Sequence, residues 1–469
     1  MKKFRFQSLV GIAFIFLFCL NIALLLAGLI THYSGFALAA IVLSIAQVIL
    51  HDLFRRKHSV LRNYPFREKM RRLLAGLSPS ASQFLFGDEL LNAALSTAER
   101  EVIITRAKNV PTDVIRCTLS QAEDREFECL RSVSSVLPSE LKNTSLKVRI
   151  GTGQCSQPYD LSLLTIGALN QKTLSKAAVL AISEGANIQG CAVNTGRGGI
   201  SPHLIRGGGD LIWQIAQEDD AFRKEDSSFN EKFYKVTATR PYVKMIEMVL
   251  PRDETTLMKR LSGDRLVTFL AKLRTLSGGK PIGIRVYSPT KEFLWAICKS
   301  MQSSGINLDF ITIDNTYSED GFDSFAVSNA SAPVFLESLA FLRKTLDSYG
   351  LPVKILAAGP VVTEYDLLRY VALGASACYC TAPIILAVRL GRWRKFEDVS
   401  KRRLHVSNYH RNTIASTIKL MEVCGYQSLT EVKAGDFYRK VNFFESKSLQ
   451  EIYFNESKVK SPHLFSGLS

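Results

Sequence analysis

The sequence holds no Cys-x-x-Cys pair and no other clustered set of thiolates. Its nine cysteines stand singly except for Cys378-Tyr379-Cys380 inside an apolar run, so neither a zinc site nor an iron-sulfur cluster is expected. They read as reduced, mostly buried thiols of a cytosolic domain. Helix-turn-helix, zinc-finger and RNP patterns are also missing, so the formal net charge of +16 is not taken as a sign of nucleic-acid binding. No internal repeat stands out. With 46% hydrophobic and 22% charged residues, the 469-residue chain is no disordered protein and can bury a large core, as one big domain plus an appendage.

Long apolar runs are confined to the first 54 residues. Leu9 to Ile30 is almost continuously apolar, interrupted only by Asn21, and about 20 such residues cross a hydrocarbon core. Thr31 to Gly35 breaks the run with turn-prone residues, and Phe36 to Leu50 resumes it. The pattern predicts a transmembrane helical hairpin over 1–54. Lys2, Lys3 and Arg5 precede it, and Arg55, Arg56, Lys57, Arg62, Arg67, Lys69, Arg71 and Arg72 follow it. The positive-inside rule then puts both ends in the cytoplasm, with the protein held in the inner (cytoplasmic) membrane and the lipid bilayer as a partner. A cleaved signal peptide is the alternative, although the first run is longer than a usual h-region and a second follows at once.

From Arg62 to about Pro138 the chain reads as helical and charged, a lead-in beneath the main domain. Beyond it, short β-branched runs alternate with helical stretches. Seven parallel-strand candidates are LSLLTIGAL at 161, GCAVNTG at 190, YVKMIEMVL at 242, KPIGIRVY at 280, FITIDNT at 310, VKILAAGP at 353 and ACYCTAP at 377. Between them KTLSKAAVLAISEGA (172–186), EFLWAICKSMQSSGI (292–306) and TEYDLLRYVALGA (363–375) carry apolar residues at helical spacing. This alternation predicts a parallel α/β barrel or a doubly wound sheet. An eighth strand is not placed. Gly207-Gly208-Gly209 reads as a conformational loop, with Asp210 capping a helix DLIWQIA. Asn194-Thr195-Gly196, Asp314-Asn315-Thr316 and Gly359 end strands, and in a barrel such polar ends converge on one rim; they are equally ordinary turn residues.

Longer strings are more specific. RRKHSVLRNYP at 55, SQPYDLSLLTIGAL at 156, NTGRGGISPHLIRGGGDLIWQIA at 194, GGKPIGIRVY at 278, EFLWAICKSMQSSGINLDFITID at 292, VALGAS at 371 and NYHRNTI at 408 occur in one family order. Together, from Arg55 to about Val432, they resemble the membrane-anchored, FMN-binding glutamate synthase-like proteins of bacteria, whose barrel is similar to the synthase domain of ferredoxin-type glutamate synthase. The resemblance implies a (β/α)8 TIM-type barrel over 151–432, after a juxtamembrane region over 55–150 and before a C-terminal extension over 433–469. It implies FMN as cofactor, an amino-acid or 2-oxo-acid substrate, and an electron donor such as ferredoxin or a reductase. It places flavin phosphate at Gly359 ahead of Thr363 and at Gly374 through Thr381, and the ring near Gly167, Ala168 and Asn194. Arg285 would take the place of a basic residue near the ring, where a cation stabilises the reduced anion. Pairing of Arg285 with Glu247 as structural filler is the other reading.

The chain departs from the resemblance at several points. Arg197 stands in GRGG where the family carries glutamate, and MIEMVL runs directly into PRDETTLMKRL where a lysine-bearing glycine-rich loop belongs. NTYSEDGFDSFAV replaces a run of small residues, Glu364 replaces a glycine after Thr363, and VRLGRWRKFEDV replaces the cysteine cluster. Glu364 would oppose a phosphate, yet it also suits the first turn of a helix. These changes predict the loss of ordinary glutamate synthase activity. They leave two functions open: an FMN-dependent oxidoreductase on an altered substrate, or a non-catalytic barrel retained as a membrane-tethered binding or scaffold protein.

Overall fold

The computed structural model describes residues 95–110, 128–131, 146–151, 153–171, 174–196, 198–216, 229–251, 263–315, 332–390, 399–441 and 444–455, with isolated positions between 30 and 44. The expected apolar spans lie almost wholly outside the described residues, as does Arg197. Among the described residues no helix is long and apolar enough to cross a membrane. The chain divides into two compact units, Met1–Ser78 and Pro79–Ser469, and the elements below belong to the second.

In chain order these are α1 (Thr97–Ala107), β1 (Glu128–Leu130), β2 (Lys147–Ile150), β3 (Tyr159–Ser162), β4 (Leu164–Ile166), α2 (Lys176–Gln189), β5 (Ala192–Asn194), α3 (Pro202–Gly207), β6 (Asp210–Ala216), α4 (Glu231–Ala238), β7 (Val243–Val249) and α5 (Gly263–Leu276). There follow β8 (Ile282–Tyr287), α6 (Lys291–Ser304), β9 (Phe310–Asp314), α7 (Ala332–Ser348), β10 (Lys354–Ala358), α8 (Glu364–Ala372), β11 (Ala377–Cys380), α9 (Ala382–Arg389), α10 (Val399–Cys424), β12 (Phe437–Lys440), β13 (Ser446–Ser448) and α11 (Leu449–Tyr453). Strands β4 to β11 close into a parallel barrel, β11 pairing with β4. The fold is therefore an α/β barrel of the TIM type.

Two readings of the sequence are corrected here. DLIWQIA is not a helix capped by Asp210 but β6, the eighth strand, paired with β5 on one side and β7 on the other. Its Trp213 and Ile215 pack in the main core while Ile212 faces the barrel interior, the period-2 alternation of a strand. Asp210 instead accepts from the Tyr159 hydroxyl at 2.9 Å and pairs with Lys244. LSLLTIGAL is likewise not one strand. Its first residues end β3, which forms an antiparallel hairpin with β2, and β4 begins after Leu163.

The lead-in is also not all helix. β1 pairs antiparallel with β12, and β12 with β13, so residues before and after the barrel share one small sheet. Glu128 in β1 is gripped by Arg369 of α8 at 2.8 Å and by Arg439 of β12. Burial opposes its charge, but the two guanidinium groups hold the carboxyl below its usual range.

Side chains inside the barrel change character along its axis. Toward the amino ends of the strands, Ala192, Ile212, Met245, Phe310, Leu356 and Ala377 form an apolar layer, closed by Ile150 and Leu161 of the β2–β3 hairpin. One step further along the same faces come Asn194, Gln214, Glu247, Thr312 and Tyr379, and beyond them Asp314. Hydrophobic burial fills the lower part, and polar groups occupy the end at which barrels of this type carry their chemistry.

Candidate active site

Glu247 of β7 is the hub of the polar layer. One carboxylate oxygen accepts from Asn194 Nδ2 and from Arg285 Nε, each at 2.7 Å; the other accepts from Thr312 Oγ1 at 2.6 Å and from Tyr379 Oη at 3.2 Å. Arg285 reaches onward through Nη1 to Asp314 of β9. Its guanidinium carbon lies 4.8 Å from the centre of the Tyr379 ring. Five strands thus contribute to one network, and all its members are buried.

Electrostatics explain why the charges persist without water. Burial penalises the Arg285 cation, but Glu247 and Asp314 outweigh that cost and raise its pKa well above the usual value. Burial, then the nearby Glu247 charge, pushes the Tyr379 phenol well up, so it stays a neutral donor. The expectation of Arg285 as a cation turned on a ligand is therefore corrected in part. Its charge is already matched by two carboxylates, and what it can offer is a directed N–H, not a net positive field.

Two buried atoms in this layer have no partner among the described residues: Arg285 Nη2, a donor, and Gln214 Oε1, an acceptor. Arg285 is 1% exposed and Gln214 4%, so both side chains lie away from bulk solvent. Buried polar atoms in native proteins are almost always paired, and a donor and an acceptor without partners in the polar layer of a barrel are positions at which a water, an ion or a ligand would be held. Gln214 was missed because its strand read as a helix; the alternation Asp210, Ile212, Gln214 was the available signal. Glu247, Thr312 and Tyr379 were missed as a cluster because only barrel closure brings their strands together.

The other expected positions divide. Gly167 and Ala168 follow β4, Asn194 ends β5, Gly359 follows β10 and Thr381 follows β11, so all lie at the carboxyl rim with Arg285. Gly374 does not. It precedes β11, at the amino end, in a left-handed conformation (φ 104°) packed on the Arg343 side chain, because α8 has to turn sharply back into the barrel there. The glycines at the rim are also occupied from within: a Cβ at 167 would lie 2.0 Å from Thr381 Oγ1, and one at 359 would lie 2.6 Å from the Phe335 ring.

The turns expected to cradle phosphate show a specific pattern. After Gly359, Pro360 has no amide hydrogen, and the amides of Val362 and Thr363 both donate to Asp366 Oδ2 at 3.0 Å. Thr363 and Asp366 form a capping box on α8. Glu364, 1% exposed, is ion-paired to Arg106 of α1, whose guanidinium also donates to the Val362 carbonyl and Thr413. At the other turn Pro383 removes an amide, and that of Ile384 bonds the Cys380 sulfur. Against FMN, then, the ring end of the site offers an unsatisfied donor and acceptor, whereas the turn between β10 and α8 has committed two of its amides to Asp366.

Comparison with known proteins gives two sequence matches. The conserved region in glutamate synthase matches residues 109–219. The glutamate synthase large subunit-like protein YerD of Bacillus subtilis (strain 168) is 24% identical over 423 residues, covering 75% of this chain and 80% of that protein. Among solved structures, a mandelate oxidase variant with (S)-mandelic acid superposes with a TM-score of 0.46 at 13% identity, covering 77% of this chain and 98% of that one. A flavocytochrome b2 variant with sulfite bound gives 0.43 at 14% identity, covering 80% and 86%. The two sequence matches support a glutamate synthase-like relationship for a chain whose barrel carries a buried polar network at its carboxyl end.

Proposed function

We propose that this chain is a glutamate synthase-like, flavin-dependent oxidoreductase, anchored to the cytoplasmic membrane through residues 1–54, acting on a 2-oxo-acid or amino-acid type substrate other than that of glutamate synthase itself. The observation that carries the reading is the pair of orphaned atoms, Gln214 Oε1 and Arg285 Nη2. One edge of a flavin ring presents an N–H donor beside carbonyl and imine acceptors, the complement of this pair. FMN, when bound, would supply two-electron hydride chemistry. The chain's own share is to orient the ring: Asn194, Thr312 and Tyr379 fix Glu247, and Glu247 with Asp314 fixes the plane of Arg285. A ferredoxin or a reductase is the proposed source of electrons.

Flavin titration of the detergent-solubilised full chain tests this. Binding is expected with the absorbance of bound flavin, and Gln214→Leu, which deletes an unpaired buried acceptor, should weaken it about tenfold or more without lowering the melting temperature. Protein that binds no flavin would favour the second reading, a barrel kept as a membrane-tethered binding or scaffold protein. That reading draws on the turn after Pro360, whose amides at Val362 and Thr363 are committed to Asp366.

A further inference from the structure

The ring end and the phosphate end of the proposed flavin site point in different directions. A phosphate is ordinarily held by free backbone amides at a helix N-terminus, where the dipole adds to them. Here the turn between β10 and α8 has one amide missing at Pro360 and two, at Val362 and Thr363, committed to Asp366. The first turn of α8 already holds two buried carboxylates, Glu364 and Asp366. Among the described residues the cations that reach them are ion-paired, Arg106 with Glu364, and Arg369 with Glu128 and Asp366. At Gly359 the space of the absent Cβ, through which a backbone could approach an anion, is filled by Phe335 of α7. A dianion brought to this turn would meet carboxylates already matched by arginines and, among the described residues, few free donors.

We infer that the site recognises a flavin by its ring and not by its phosphate, so that a flavin lacking the terminal phosphate is accepted about as tightly as FMN. The inference rests on the flavin reading above. In it, α1 supplies Arg106 as the internal counter-ion of Glu364, and this ion pair stands where an anionic ligand group would otherwise be neutralised.

The test is a pair of titrations on the full chain in detergent, with riboflavin and with FMN, at fixed ionic strength. Dissociation constants within about threefold of each other are expected. A preference for FMN of about 100-fold, the behaviour of a phosphate held by several charge-assisted hydrogen bonds, would overturn this inference and leave the flavin reading standing. Binding of neither would overturn both. A second arm uses Glu364→Gln, which removes the carboxylate and releases Arg106; affinity for FMN should then rise about tenfold or more relative to riboflavin. An unchanged ratio in a folded variant counts against the inference. Should the variant fail to fold, the two titrations of the natural chain still decide.

Discussion

Glu247 Oε2 accepts from Arg285 Nε at 2.7 Å, deep inside a barrel and with neither side chain more than 1% exposed. An ion pair so placed is costly to break from one side, because the partner is left charged in a medium that cannot solvate it. Arg285→Ala should destabilise the fold by about 3 to 5 kcal/mol, since it abandons both Glu247 and Asp314. Urea denaturation measures this. A loss under about 1 kcal/mol would mean that water enters the layer and that the network is not buried in solution.

Acid should weaken the protein through His410. Its Nε2 lies 2.9 Å from the Leu164 carbonyl and 3.2 Å from Ser162 Oγ, and burial pushes its pKa down from 6.5 to about 4. The folded state therefore resists a proton that the unfolded chain accepts. Stability is full above the unfolded value and falls as pH drops from 6.5 toward 4, by up to about 1.4 kcal/mol per pH unit. His410→Gln should melt with a shallower dependence across that window. Parallel curves for the two proteins would exclude His410 as the titrating group.

Removal of residues 1–54 should release the remainder from membranes, because both long apolar runs lie there. The fractionation needs a high-salt wash, since the basic cluster from Arg55 to Arg72 attracts anionic lipid on its own. A fragment that still sediments after that wash requires a second membrane contact.

Glutamate formation from 2-oxoglutarate and ammonia is expected to be at least about 10⁴-fold slower than for a glutamate synthase supplied with the same reductant. By the resemblance, Arg197 stands where the family carries a glutamate, and an arginine side chain cannot take up a proton as the imine forms. Where the resemblance expects a lysine-bearing glycine-rich loop after Val249, the sequence reads PRDETTLMKRL. Steady-state amino-acid analysis decides; turnover comparable to the synthase would restore ordinary chemistry.

Much of the barrel was legible because parallel strands buried on both faces are apolar throughout and sit between amphipathic helices, as FITID and KILAA do. β6 was not. Its glycine-rich entry and Asp210 imitate a helix start, and a seven-residue, largely apolar stretch fits either period until its neighbours are known. The pairing of Arg285 with Glu247 was one of two readings left open, and β7–β8 register favoured it. The self-satisfied turn at Val362 and Thr363 could not be read, because amide accounting depends on the conformation of the turn. Pro360, in contrast, was visible and its missing donor was overlooked.

The small sheet that joins β1 to β12 has a consequence for how the chain is made. Glu128 and Arg439 are 311 residues apart, so at typical translation speeds about 15 to 60 seconds separate their synthesis. Throughout that interval β1 has no strand to pair with, and the acidic side chain must remain in water. The barrel can form around its local strand-helix repeats as they emerge, but the seal over α8 waits for the last strands to leave the ribosome.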